Sequence, residues 1–188
     1  MERSVAQSAS KLTYDDYLLI PDDGKRHELI DGEHFVSPAP LPYHQQLLIR
    51  LVFELETYRR ATRAGVLLIA PTDVVLSGMD VVQPDLLFIR EGGSAQVGAH
   101  VAGAPDLVVE ILSSTHRRYD EVTKRNLYEQ AGVGEYWLVD PEAETVKVFR
   151  REGARFGRPQ LLSARDGDVL SSPLLPGLAI SLAALFER

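Results

Sequence analysis

Pro105-Asp106-Leu107-Val108-Val109-Glu110-Ile111-Leu112-Ser113 is an aliphatic run opened by Pro-Asp and broken by one internal charge, Glu110. A strand that stays apolar without alternating is covered on both faces. An ionised carboxylate in such a strand is costly unless a cation or hydrogen-bond donors stand beside it. The run therefore reads as a buried central strand carrying something functional. A second Pro-Asp, in Gln83-Pro84-Asp85-Leu86, lies inside another aliphatic stretch, residues 81–89. Two carboxylates converging from neighbouring strands repel one another unless a divalent metal, a shared proton or a basic residue lies between them, and Mg²⁺ prefers hard oxygen ligands. The plain alternatives are that Asp85 caps or kinks an edge strand after Pro84 and that Glu110 makes an internal salt bridge.

Outward from this pair, Thr13-Tyr14-Asp15-Asp16 has the form of an N-terminal capping signature and predicts a helix to about residue 20, ended by Pro21. Asp31-Gly32 suits the positive dihedrals of a tight turn and predicts a hairpin of strands over 27–30 and 33–36. Residues 37–42, rich in proline, form a stiff connection. Leu47, Leu48, Leu51, Val52 and Leu55 recur at helical spacing and predict a helix over 43–63, with Gly65 as its stop. Strands are expected over 66–70, 73–77 and 81–89, a glycine-marked loop around 92–98, a helix over 119–131 stopping at Gly132, and strands over 135–139 and 145–149. A short amphipathic segment follows Pro176-Gly177 and ends at Phe186. The order places a mixed β-sheet between helices, an α/β or α+β class.

With 188 residues and 45% apolar content, the chain supports one sizeable core: a flexible N-terminus over 1–11 and a single domain over 12–188. The absence of cysteine excludes disulfides, thiolate catalysis and Cys-ligated metal centres, so any metal is held by Asp, Glu or His. No apolar run is long enough to span a membrane, and residues 1–11 lack the pattern of a secretory signal, which predicts a soluble, cytoplasmic protein without membrane contact. The net charge of −7 argues against a protein that coats nucleic acid with its whole surface. Basic groups remain at Arg59, Arg60 and Arg63, at Arg117, Arg118, Lys124 and Arg125, and at Arg150, Arg151, Arg155 and Arg158. Each taken alone reads as a solvated surface.

His27-Glu28-Leu29-Ile30-Asp31-Gly32-Glu33, Ser37-Pro38 with His44, Pro84-Asp85-Leu86, Pro105 to Ser113, Asp120 with Lys124 and Tyr128, and Gly132-Val133-Gly134-Glu135-Tyr136-Trp137-Leu138-Val139-Asp140-Pro141 follow in an order and spacing that resembles the Uma-two-like family of bacterial restriction endonucleases, within the PD-(D/E)XK nuclease superfamily. The likeness runs from Leu12 to Phe186. It implies a restriction-endonuclease-like core with an extra N-terminal helix and hairpin, and a metal-dependent endonuclease hydrolysing phosphodiester bonds, with DNA as substrate. Asp85, Glu110 and the Ile111 carbonyl would hold Mg²⁺ or Mn²⁺. Leu112 stands where the superfamily pattern has its lysine, a departure from it. Lys124, on the following helix with Asp120 and Tyr128 at four-residue spacing, is expected to replace that lysine. Lys124→Met would then abolish hydrolysis while leaving folding and metal affinity largely intact.

Glu28 is a candidate third carboxylate, with a solvated strand glutamate as the equal alternative. His44, at a helix start, would bind phosphate or orient a water; the plainer reading is a surface histidine. Tyr128 and Trp137 read as core aromatics. Asp106 competes with Asp85 for the first acid, and Asp85 is preferred because Asp106 shares a strand with Glu110. Other classes stay open: a catalytically idle nucleic-acid-binding or protein-interaction module with the same fold, or a metal-dependent hydrolase of a smaller phosphoester. A homodimer is expected, because cutting a duplex takes two sites, with the 174–186 stretch or the Trp137 strand as interface.

Overall fold

The structure, a computed structural model, describes residues 10–113 and 117–188. In chain order its elements are α1 (Tyr14–Tyr17), β1 (Arg26–Ile30), β2 (Glu33–Ser37), α2 (Pro42–Thr62), β3 (Gly65–Ile69), β4 (Val74–Ser77), β5 (Asp80–Val82), β6 (Leu86–Arg90), β7 (Gln96–Val97), β8 (Val101–Ala102) and β9 (Leu107–Ile111). A π-helical turn, Tyr119–Lys124, continues directly into α3 (Arg125–Ala131). Then come β10 (Glu135–Asp140), β11 (Thr145–Glu152), β12 (Arg155–Phe156), β13 (Gln160–Ser163), β14 (Val169–Ser172), β15 (Leu175–Ser181) and α4 (Leu182–Leu185). The class is mixed α+β.

The central sheet has the order β12-β11-β10-β9-β6-β3, with β13 also paired to β11. β9 and β10 run parallel at its middle, and β6 pairs antiparallel with β9. Side chains alternate across it, as strand geometry requires. Leu86, Phe88, Leu107, Val109 and Ile111 pack with Leu47, Leu51 and Leu55 of α2 in one core. Leu87, Ile89, Val108 and Leu112 pack on the other side with Leu127 and Tyr128 of α3. Both faces are covered, which is why β9 and β10 are buried along their whole length. A second sheet, β2-β1-β5-β4-β8-β7, carries the hairpin, whose turn residues Asp31 and Gly32 have φ of 51° and 71°. The last hairpin, β14 with β15, leads into α4, and its apolar residues join the α2 core.

Several sequence expectations shift. The first helix is one turn, Tyr14–Tyr17, with the Thr13 capping box in place. α2 ends at Arg63 in the left-handed conformation, whose N–H reaches Arg59 O, and Gly65 instead opens β3. The stretch 81–89 is two strands in different sheets, because Pro84 fixes its own φ and donates no N–H. The glycine-marked loop contains β7, with β8 just after it, and the C-terminal segment is a hairpin before α4. Both segments expected at a dimer interface are consumed by the chain's own core: Trp137 is fully buried, as are Leu175, Leu182 and Phe186. Of the flexible stretch expected over 1–11, residues 1–9 lie outside the described residues; Lys11 pairs with Asp31, and Leu12 N donates to Gly32 O.

Candidate active site

The register Leu86↔Val109 brings Asp85, one residue before β6, opposite Glu110 on β9. Both carboxylates are buried, and both line one cleft of about 230 Å³. Pro84 ends β5's path and turns the chain into β6, so Asp85 sits at the strand mouth, where its side chain reaches three donors. Arg26 Nη1 lies 2.9 Å from Oδ1, while His44 Nε2 at 3.0 Å and Ile111 N at 2.9 Å both reach Oδ2. Burial alone would raise this carboxyl, but His44, then Arg26 and the Ile111 N–H outweigh it and hold Asp85 at about 2.

Glu110 has a different environment. Its Oε1 accepts from Lys124 Nζ at 2.9 Å and from Tyr128 OH at 2.7 Å. Its Oε2 receives no donor among the described residues. Lys124 Nζ also lies 2.9 Å from Glu28 Oε1 and 4.0 Å from Asp120 Oδ1, and Gln83 N donates to the same Glu28 oxygen. Burial raises Glu110, and Asp85 and Glu28 reinforce that against the opposing charge of Lys124. Burial disfavours the Lys124 ammonium, but Glu110, Glu28 and Asp120 together push it well above its ordinary value, so it remains a cation. The cluster sets four carboxyl groups, on Glu28, Asp85, Glu110 and Asp120, against two permanent cations, Lys124 and Arg26.

That surplus of negative charge shows at Asp120, which burial and then Glu110 push up to about 8 from the usual 3.8. The folded protein holds this proton more tightly than the unfolded chain does. The resulting stability is complete below about pH 4 and is lost as pH rises toward 8. Asp120→Asn removes the titration. The melting temperature of the variant minus that of wild type, measured in EDTA, is expected to widen from pH 4 to pH 8 and then level off. A gap that stays constant over this range would show that Asp120 titrates as an ordinary surface carboxylate.

The π-helical turn accounts for where Asp120 and Lys124 fall. A wider turn of this kind is frequent at functional sites, and here it presents the buried Lys124 toward β1 and β9 while α3 presents Tyr128. All eight residues singled out in the sequence, Glu28, His44, Asp85, Glu110, Ile111, Asp120, Lys124 and Tyr128, meet in this one network. Asp106 stands apart: its carboxylate accepts from Arg90 N and Nε, both at 2.9 Å. His44 is buried on α2, not at the surface, and its Nδ1 has no hydrogen-bond partner among the described residues. Arg26 and Tyr119 were missed. Tyr119 OH lies 3.4 Å from Glu28 Oε2, and its ring centroid is 5.6 Å from Lys124 Nζ. The signal for Arg26 was available, since it stands two residues before Glu28 on one strand and so shares its face.

A family model described as "Uma2: Putative restriction endonuclease" matches residues 14–183. The chain belongs to the Uma2 family. A crystal structure at 1.96 Å of a "putative nuclease belonging to DUF820" from Anabaena variabilis ATCC 29413 superposes with a TM-score of 0.79, covering 93% of this chain and 97% of that one at 21% identity. The likeness establishes a common fold, restriction-endonuclease-like. No curated protein matches the sequence. The Uma2 match spans every residue of the network, from Glu28 to Tyr128. Among the described residues of this Uma2 chain no three His, Asp or Glu side chains stand together as a ready-made metal cage, and no helix is long and apolar enough to cross a membrane. The basic groups flagged in the sequence are largely engaged: Arg59 and Arg60 with Glu56, Arg117 with Asp140, Arg125 with Glu129, Arg150 with Glu135.

Proposed function

We propose that this protein is a divalent-metal-dependent nuclease that hydrolyses phosphodiester bonds in DNA at the Asp85–Glu110–Lys124 cluster. The observation that carries the reading is the contact of Lys124 Nζ with Glu110 Oε1 at 2.9 Å. That contact supports reading Lys124, from the helix after β9, as the lysine of a two-acid-and-lysine pattern whose position 112 is leucine. Families with this core generally use divalent metals. The donor set fits Mg²⁺ or Mn²⁺ in its chemistry: hard carboxylate oxygens, an excess of negative charge, and an Oε2 of Glu110 that receives no donor among the described residues. Mg²⁺ is commonly held by one or two carboxylates with waters and substrate oxygens completing its shell, so a three-residue cage is unnecessary.

Asp85, Glu110 and the Ile111 carbonyl would hold the ion, which when bound supplies Lewis acidity to the phosphate and to an attacking water. Arg26, His44 and the Ile111 N–H fix the Asp85 carboxylate in place and keep it ionised. Lys124, held protonated by Glu110 and Glu28, cannot act as a base at neutral pH; it stabilises negative charge developing at phosphate oxygen. Tyr128 locks the Glu110 rotamer. Two copies acting together would cut both strands of a duplex, and the cytoplasm is the compartment this reading expects. Incubation with supercoiled plasmid and, separately, with a bis-nitrophenyl phosphate ester, each with Mn²⁺ or EDTA, tests the assignment. Metal-dependent relaxation of the plasmid is expected. Turnover of the small ester alone would replace DNA by a smaller phosphoester, and no turnover of either would leave an idle module.

A further inference from the structure

The active-site cleft is small. At about 230 Å³ it falls below the roughly 300–1,000 Å³ of sites that enclose a drug-sized ligand, so it seats a phosphate group and little more of a polynucleotide. A second cleft, of about 460 Å³, lies beside it, and Asp22, Lys25, Gln45, Ile69, Pro71 and Gln83 are among the residues that line it. The two share a wall made of Arg26, Pro40 and Asp85. Among the described residues Arg26 uses Nη1 alone, toward Asp85 Oδ1 at 2.9 Å and Gln83 O at 3.5 Å. Its Nε and Nη2 have no acceptor among the described residues. A guanidinium offers five N–H donors in a fixed fork suited to phosphate oxygens, so one arm braces Asp85 and the other is available to a ligand crossing the wall.

We propose that the second cleft is a nucleotide subsite, with Arg26 as the phosphate contact where a single nucleic-acid strand passes from it to the candidate active site. The inference rests on the nuclease reading above. The strand enters over Arg26, its flanking nucleotide lies between the start of α2 and the Ile69–Pro71 segment, and Asp85 marks the boundary at which the scissile phosphate begins.

Fluorescence anisotropy with labelled oligothymidylates, a dimer and a hexamer, in excess EDTA measures the contribution of the second cleft without cleavage. Wild type is expected to bind the hexamer about tenfold more tightly than the dimer. Gln45→Trp places an indole from an exposed position of α2 into the second cleft without touching the lining of the first, and it should bring that ratio close to one. Arg26→Gln should lower it as well; if that variant fails to fold because Asp85 loses its brace, Gln45→Trp decides alone. Wild-type binding of both oligonucleotides with an unchanged ratio in Gln45→Trp overturns the subsite and leaves the nuclease reading intact. Binding of neither by wild type also overturns the subsite, and the nuclease reading is then decided by the plasmid assay with Mn²⁺.

Discussion

Lys124→Met is expected to lower phosphodiester hydrolysis by about 10² to 10³-fold, the usual cost of removing a preorganised charge that stabilises the transition state. Lys124 Nζ contacts Glu28 Oε1 and Glu110 Oε1, each at 2.9 Å, from a position only 4% exposed. The same burial revises the expectation of an intact fold. Methionine there leaves Glu28 and Glu110 uncompensated, and breaking a buried pair on one side costs about 3–5 kcal/mol. The variant should therefore melt well below wild type at neutral pH and regain part of the difference on acidification, as its carboxylates take up protons. Activity is to be measured at a temperature where circular dichroism shows the variant folded. Hydrolysis at the wild-type rate by folded Lys124→Met would show that Lys124 is a structural counterion and nothing more.

Asp85→Asn is expected to abolish metal-dependent cleavage with a milder effect on the fold. The asparagine oxygen still accepts from Ile111 N and His44 Nε2, so the buried donors keep a partner, whereas Asp85→Ala would orphan them at about 1–3 kcal/mol each. Loss of the charge removes a ligand and unpairs Arg26. The fall in activity should exceed the roughly 10–100-fold typical of residues that only support a metal ligand. Asp85 is held at about 2 in the folded chain against 3.8 ordinarily. Its stabilising contribution is thus present above about pH 4 and is lost as pH falls through 2, and Asp85→Asn removes that acid-limb dependence. Asp85→Asn that cleaves plasmid as wild type does would remove Asp85 from the site.

The central strand and the long helix were legible because their signals are dense. β9 is apolar at every position but one, and α2 repeats leucine at 47, 51 and 55. The hairpin was legible through Asp31-Gly32. The split of 81–89 was not, because Val81, Val82, Leu86 and Leu87 look alike while Pro84 moves the second pair into another sheet. The π-helical turn was illegible for a similar reason: residues four apart share a face in the ordinary helix, and Asp120 and Lys124 carry no mark of the wider turn. β15 hid behind Pro176 and Gly177, which face outward on a strand whose Leu175, Leu178 and Ile180 are buried. At the site, the acids announced themselves as charges in apolar strands. Arg26 was marked only by its place two residues before Glu28, and its role shows once the fold lays it against Asp85.

The central claim, that Asp85 and Glu110 hold one divalent cation, is tested most directly by isothermal titration of Mn²⁺ into wild type and into Glu110→Ala. Glu110 Oε2 receives no donor among the described residues, so truncating Glu110 removes the oxygen best placed to bind the ion. One Mn²⁺ per wild-type chain, with binding lost in Glu110→Ala while the variant remains folded by circular dichroism, is the predicted result. Equal Mn²⁺ affinity in the two proteins, or none in wild type, would contradict the account.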